Sequence, residues 1–479
     1  MASIIMTGRI VCTKPLQSVI KSLKYATTAS FSRTADAPEK KVAVIGTGVS
    51  GISALRNLTS PFGNITPVAF ERSASFGGHW SFTSNKTRDE FGYPPSSAIY
   101  CGLRTNLPRE LMSFPGFKHD DNLPTFPKQS DIYEYLQRYV DYCDLEKYIK
   151  FNTIVTNAVP RSPGDAKSKW EVTYCDVSDP TKSSTEEFDA VIICNGNCVF
   201  PNVPPFPGID AFQGRLLHSR DYRQAEEFKG QNVAVVGSSY SGKDVARQLS
   251  DFADKVYLTH IDEPIKTVYE NGNVIEKNLG IREIKESSIV LENGKEVHLD
   301  AIVMCTGYKY QFPFLSEDII SIQNEHVTPL YKHVLHLDYN SLFVITLLRN
   351  VATYPISFNQ ARFARSVIDG NANLPSKAEM AEDIASEVKW RSENNMTGPM
   401  WHYMDTLQWN YDSHLADMGK FEPLSEMLQI YWNFVENHRE KDFCNYWKYD
   451  YVMNGKKSIE AIKRDEHQEE EHLPYRMVV

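Results

Sequence analysis

The sequence predicts an α/β fold, and three observations predict it. Val42-Ala43-Val44-Ile45 is an apolar, β-branched run that leads straight into Gly46-Thr47-Gly48-Val49-Ser50-Gly51 and a helical stretch through Leu58. The same order recurs 191 residues on, with Asn232-Val233-Ala234-Val235-Val236, then Gly237-Ser238-Ser239-Tyr240-Ser241-Gly242, then a helix over Lys243–Phe252. After each unit a further apolar strand runs into a glycine, Ala190–Cys194 towards Gly196 and Ala301–Cys305 towards Gly307. Continuous apolar runs are what strands buried on both faces of a parallel sheet require. Two nested Rossmann-like dinucleotide-binding domains follow, one interrupted by the other.

Residues 1–39 precede the first strand. The first 35 hold no acid, five basic residues (Arg9, Lys14, Lys21, Lys24, Arg33) and ten Ser or Thr. That composition predicts a mitochondrial transit peptide, with the cytoplasm and the endoplasmic-reticulum surface as alternative addresses. In the first unit Gly46 permits the tight turn, Gly48 lets backbone approach a pyrophosphate, and Gly51 lets helix and strand pack closely. The pyrophosphate then sits at the helix start, Val49 and Ser50, where free N–H groups and the dipole favour negative charge. The second strand, Pro67–Phe70, ends in Glu71, 25 residues after Gly46. A carboxylate there accepts ribose hydroxyls and repels a 2′-phosphate, so the unit reads as an FAD or NAD site and not an NADP site.

In the second unit Ser239 replaces the middle glycine. Its Cβ restricts approach to a pyrophosphate, while its hydroxyl can donate a hydrogen bond in exchange. The following strand, Lys255–Thr259, ends at Thr259 and His260 without an acid, which leans this unit towards NADP. Two such units in one chain suggest electrons passing from a nicotinamide to a flavin. The expected division is an FAD domain over 40–208, an NADP domain over 209–330, and the rest of the FAD domain with a helical region over 331–479. A helix over Asp131–Leu145, with Ser130 as N-cap, carries Ile132, Tyr135, Leu136, Tyr139, Val140 and Cys143 on one core-facing stripe. Residues 371–479 hold Trp390, Trp401, Trp409, Trp432 and Trp447, which read as an aromatic helical cap or, alternatively, as lining for a substrate channel. Asp465–Glu471 reads as a solvated acidic tail.

Composition narrows the function. With 42% hydrophobic and 23% charged residues the chain is ordinary for a globular enzyme, and its net charge of −10 disfavours nucleic acid. No apolar stretch is long enough for a transmembrane helix. Eight cysteines are too scattered for a disulfide scaffold, and none of their spacings predicts a metal site. Cys194 and Cys198 read as small hydrophobes.

The remaining motifs resemble one family. Phe212-Gln213-Gly214-Arg215-Leu216-Leu217-His218-Ser219-Arg220-Asp221-Tyr222 resembles the FxGxxxHxxxY signature of flavin-containing monooxygenases, with Arg223 departing from the usual next residue. Phe76-Gly77-Gly78-His79-Trp80, Arg104-Thr105-Asn106-Leu107-Pro108-Arg109-Glu110-Leu111-Met112, Met304–Tyr308 and Gln360-Ala361-Arg362 extend the likeness from about residue 40 to 370. Tyr222, where Baeyer–Villiger members carry tryptophan, points to the N- and S-oxygenating branch, and the chain as a whole resembles the shorter, soluble insect-like or microbial-like members. The resemblance implies an NADPH- and O2-dependent enzyme of the N,N-dimethylaniline monooxygenase type. It implies a flavin C4a-hydroperoxide that oxygenates an amine or sulfide, with Asn106 as the catalytic residue beside the flavin.

Cofactor contacts are expected at Gly46, Gly48, Val49, Ser50, Gly51, Glu71, Gly78, His79, Trp80, Arg104, Thr105 and Asn106. Further contacts are expected at Gly237, Ser238, Ser239, Ser241, Gly242, Gly307 and Gln360. His218 reads as structural, no metal is expected, and a homodimer is allowed for. A disulfide reductase would need a cysteine pair after Glu71, and Gly77–Asn85 has none. A hydrogen-peroxide-producing oxidase and a non-catalytic flavin sensor stay open beside the monooxygenase.

Overall fold

The computed structural model describes residues 38–464 apart from 60–63, 84–94, 96, 266–267, 346 and 456–457. The basic segment 1–35 and the acidic stretch 465–471 lie outside the described residues.

Lys40–Ile45 is an interior strand of a seven-stranded sheet, flanked in parallel by Ile65–Phe70 and Ala190–Ile193. Val42, Ala43 and Val44 are fully buried, as are Val191, Ile192 and Ile193. Each such Val or Ile contributes about 1.5–3 kcal/mol by leaving water, which is why the run is apolar without alternation. One face meets helix α1 (Val49–Leu58), and α1 in turn packs against a long later helix, Thr353–Asp369. The chain re-enters this sheet late: Leu342–Val344 pairs in parallel with Ala190–Ile193, and Leu335–His336 and Leu330–Tyr331 extend the edge.

Between those strands the chain builds a second, five-stranded parallel sheet. Its order is Val274–Lys277, Lys255–Thr259, Asn232–Val236, Ala301–Met304, Arg215–His218. The two glycine strands sit in equivalent frames. Ile45 is level with Phe70 and Ile193, and Val236 with Thr259 and Met304. The strands predicted to run into Gly196 and Gly307 therefore lie directly beside the two glycine loops.

Two boundaries differ from those the sequence predicts. The core helix, α2, spans Gln129–Cys143, and its N-cap is Lys128, not Ser130. The Asp131 carboxylate accepts the Lys128 backbone N–H at 2.8 Å, and this acid three residues in fixes the helix start earlier than a serine cap would. The second glycine-loop helix, α3, spans Tyr240–Ser250, because helical geometry begins at once after the turn, as in α1. After α4 (Thr353–Asp369), helices α5 (Lys377–Glu393), α6 (Leu407–Gly419) and α7 (Glu426–Lys441) wrap the first unit, followed by the hairpin Tyr449–Asn454 with Ser458–Lys463. Trp432 is buried there and donates to Asp405 at 3.0 Å, and Trp401 stacks on His326. Both belong to the cap. No helix among the described residues is long and apolar enough to cross a membrane.

Candidate active site

The largest set of predicted residues converges on one cleft at the C-terminal edge of the first sheet. Gly46, Gly48, Val49, Ser50, Glu71, Gly78, His79, Trp80 and Asn106 all line it. The glycines are there for lack of a side chain. Gly46 has φ 97°, and a Cβ on it would come within 2.5 Å of the Cys194 carbonyl oxygen. Gly48 and Gly78 face each other, such that a Cβ on Gly78 would lie 2.9 Å from the Gly48 Cα. A side chain at Gly78 would collide with the Gly48 backbone. Gly51 stands behind the loop: a Cβ there would meet the Gly46 carbonyl oxygen at 2.0 Å. Its role is the close helix–strand packing.

Helix α1 begins at Gly48 with no side-chain cap and no acid in its first turn, which leaves N–H groups and the positive dipole end for an anion. Glu71 closes that end. Its carboxylate accepts the Thr47 backbone N–H at 2.9 Å, the Thr47 hydroxyl at 2.8 Å and the Ser73 N–H at 2.9 Å. Beyond the ribose expected of it, Glu71 thus ties the strand end to the glycine loop. Two oxygens with about four lone-pair directions leave room for a ribose hydroxyl beside those three donors.

Asn106 lines the same cleft, as do Leu107, Met112 and Tyr354. Among the described residues nothing hydrogen-bonds to its side-chain amide. The His79 Nδ1 and the Tyr354 hydroxyl are likewise without a partner, and both are shut off from water. Burial, and then the charge of Arg220, push His79 down to about 4, so the ring is neutral at pH 7. Buried orphan groups of this kind are what a polar, ring-shaped cofactor satisfies. Pyrophosphate cradle, ribose acceptor and unpaired polar groups together fit FAD. Thr353 and Tyr354 were missed by sequence reasoning. They open α4, whose N-terminus meets the cleft, and Pro355 in its first turn is the signal that could have found it.

Other expected contacts lie elsewhere. Arg104 stacks over the Trp447 ring at 4.9 Å, and Thr105 is buried with its N–H bonded to the Pro127 carbonyl. Gln360 is fully buried in α4 and donates to the Tyr411 hydroxyl at 2.7 Å. These three support the cleft's walls and do not line it. None of Trp390, Trp401, Trp409, Trp432 and Trp447 lines the cleft either. Cys194 and Cys198 do line it, but burial pushes both thiols up, so neither is the thiolate a disulfide reductase needs. Among the described residues no three His, Cys, Asp or Glu side chains gather as a metal site.

The second glycine loop repeats the first in detail. A Cβ on Gly237 would lie 2.5 Å from the Cys305 carbonyl oxygen, and one on Gly242 1.9 Å from that of Gly237. Ser239 is the N-cap of α3 and stands exposed, its hydroxyl making no capping bond; Ser241 follows, also exposed. Gly307 accepts the His218 Nε2–H at 2.9 Å, which makes His218 a tie between two strand ends. The premise that no acid attends this loop does not hold. His260 occupies the level of Glu71 but turns inward to Glu276, and Asp262 accepts the Ser238 hydroxyl instead. The signal was countable: Asp262 stands 25 residues after Gly237, as Glu71 does after Gly46.

Residues 39–272 and 262–434 match the model of one protein family, described as flavin-binding monooxygenase-like. The chain belongs to that family. This flavin-containing monooxygenase is 31% identical over 418 residues to a trimethylamine monooxygenase of Pelagibacter ubique (strain HTCC1002), covering 85% of this chain and 92% of that one. It is 33% identical over 407 residues to flavin-containing monooxygenase FMO GS-OX-like 2 of Arabidopsis thaliana, covering 80% and 85%. The solved structure of S-allyl-L-cysteine S-oxygenase from Allium sativum matches with a TM-score of 0.76 at 29% identity, covering 84% of this chain and 93% of that one. FAD and NADPH are the cofactors of this flavin-containing monooxygenase.

Proposed function

We propose that this flavin-containing monooxygenase uses NADPH and O2 to transfer one oxygen atom to a soft amine nitrogen or sulfide sulfur of a small molecule. The observation that carries the reading is Asn106: an amide that cannot titrate, facing the cleft among Leu107, Met112 and Tyr354. Bound FAD would supply the redox and oxygen-transfer chemistry. The chain's own part is to hold and to shield. The start of α1 would take the pyrophosphate, Glu71 the ribose, and Asn106 would offer both a donor and an acceptor with no proton to lose. With FAD bound, the apolar part of the lining, Leu107, Met112 and Phe314 among it, would limit water and so keep stray proton transfer from diverting oxygen to hydrogen peroxide. The names of two relatives, one acting on trimethylamine and one on the sulfur of S-allyl-L-cysteine, support a nitrogen or sulfur target.

The test is product stoichiometry. FAD-loaded enzyme supplied with NADPH, O2 and either trimethylamine or an allyl sulfide should yield N-oxide or S-oxide close to one per NADPH consumed. NADPH consumption matched by hydrogen peroxide with both substrates would return the chain to the oxidase class. We also propose that residues 1–35 direct the chain to mitochondria, supported by their basic, hydroxyl-rich and acid-free composition. A fusion of residues 1–40 to a fluorescent reporter should enter mitochondria, and a diffuse cytosolic or reticular signal would overturn this.

A further inference from the structure

We infer that Asp262 discriminates between the two nicotinamide coenzymes, favouring the 2′-hydroxyl of NADH and weakening the grip on the 2′-phosphate of NADPH. The inference rests on the reading that the second glycine loop binds a nicotinamide dinucleotide.

Two loops of this one chain correspond residue by residue. In the first, the residue after the leading glycine, Thr47, gives its hydroxyl to an acid 24 residues on, Glu71. In the second, the residue after the leading glycine, Ser238, gives its hydroxyl to an acid 24 residues on, Asp262. The backbone frames agree as well: the Gly46 N–H meets the Phe70 carbonyl, and the Gly237 N–H meets the Thr259 carbonyl. An acid held against the loop at this position stands where an adenosine ribose lies in the fold. It accepts a 2′-hydroxyl and repels a 2′-phosphate.

The neighbouring groups point the same way. His260, the residue that a 2′-phosphate could have used as a partner, has a side chain only 1% exposed and is bonded to Glu276 at 2.9 Å. Glu276 also accepts the Ile265 N–H at 2.8 Å, which fixes its carboxylate on the strand paired with Lys255–Thr259. Lys243 feels the like charge of Arg439 as well as the opposite charges of Asp262 and Glu276, and its ammonium lies 5.5 Å from the centre of the Phe443 ring.

The experiment measures binding, not turnover. Dissociation constants of NADP⁺, NAD⁺, 2′,5′-ADP and 5′-AMP are determined by calorimetry on oxidised, FAD-loaded enzyme, wild type and Asp262→Ser. Wild type should bind NAD⁺ within about tenfold of NADP⁺. Removing one charge at hydrogen-bond range should tighten NADP⁺ and 2′,5′-ADP about tenfold and loosen NAD⁺ severalfold. Asp262→Asn, which keeps the shape, should move the ratio the same way. Asp262 is exposed, so both variants should keep wild-type FAD content. If both coenzymes bind but their ratio is unchanged in both variants, the inference fails and the dinucleotide reading stands. If neither coenzyme binds wild type at millimolar concentration, both fail.

Discussion

Arg439 donates a hydrogen bond at 2.5 Å to the backbone carbonyl of Asn106, and another at 2.6 Å to the hydroxyl of Tyr240. The guanidinium is buried near the end of α7, ion-paired with Glu436 and stacked 4.2 Å over the Tyr240 ring. One side chain thus ties the cleft wall of the first unit to the glycine-loop helix of the second, from a helix that belongs to neither sheet. Five fixed donors make arginine suited to such a triple contact, and lysine is not.

Arg439→Lys should therefore keep the charge and lose the joint hold on Asn106 and Tyr240. Hydrogen bonds to charged groups are worth about 1.5–3 kcal/mol, so a lower melting temperature is expected. The informative readout is the ratio of hydrogen peroxide to oxygenated product per NADPH, which should rise. A melting shift with an unchanged ratio would reduce Arg439 to a packing role.

Glu71 should be needed twice. Glu71→Arg sets a cation where ribose hydroxyls need an acceptor and leaves the Thr47 N–H without its partner. The FAD-to-protein ratio after desalting should fall well below that of wild type. Thr47→Val removes only the hydroxyl donor, costing about 1 kcal/mol, and should retain FAD. Full occupancy in Glu71→Arg would exclude Glu71 from the site.

Acid should destabilise the fold in a defined window. His79, His119, His218 and His326 are each pushed down to about 4, first of all by burial. The unfolded chain binds those protons near the ordinary histidine value of about 6.5. Between about 6.5 and 4 the unfolded state holds more protons than the folded one, so stability falls as pH falls. The melting temperature should drop steadily across that interval. His119→Gln removes one of these sites while offering the Met112 carbonyl, which His119 meets at 3.0 Å, a replacement donor, and should flatten the slope. An equal slope in wild type and variant would remove His119 from the effect.

What was legible in the sequence was whatever depends on local chain geometry. Both glycine turns, their strands and the two returning strands follow from short apolar runs and from glycines that meet backbone oxygens. What was hidden depends on side-chain direction. His260 stands at the register of Glu71, yet its ring turns inward, and an acid from the following loop takes its place. Gln360 matches a family motif, but its helix face points into the core. Tyr354 reaches the cleft only because the chain re-enters the first sheet at Leu342–Val344, a long-range pairing that no local pattern encodes.

The sharpest trial of the site is Asn106→Asp. The two side chains are nearly the same shape, so packing against Leu107 and Met112 should survive, and Arg439 still holds the backbone carbonyl. Hydride transfer from NADPH to flavin does not need the amide, so flavin bleaching under anaerobic conditions should proceed at a rate near wild type. The change lies in proton chemistry. A carboxylic group can give and take a proton where an amide cannot. Oxygen uptake should then continue while N-oxide or S-oxide falls about tenfold or more and hydrogen peroxide rises to match. Product yield equal to wild type would mean that Asn106 lines the cleft without touching the reaction. Loss of FAD or of anaerobic reduction would assign it instead to cofactor binding.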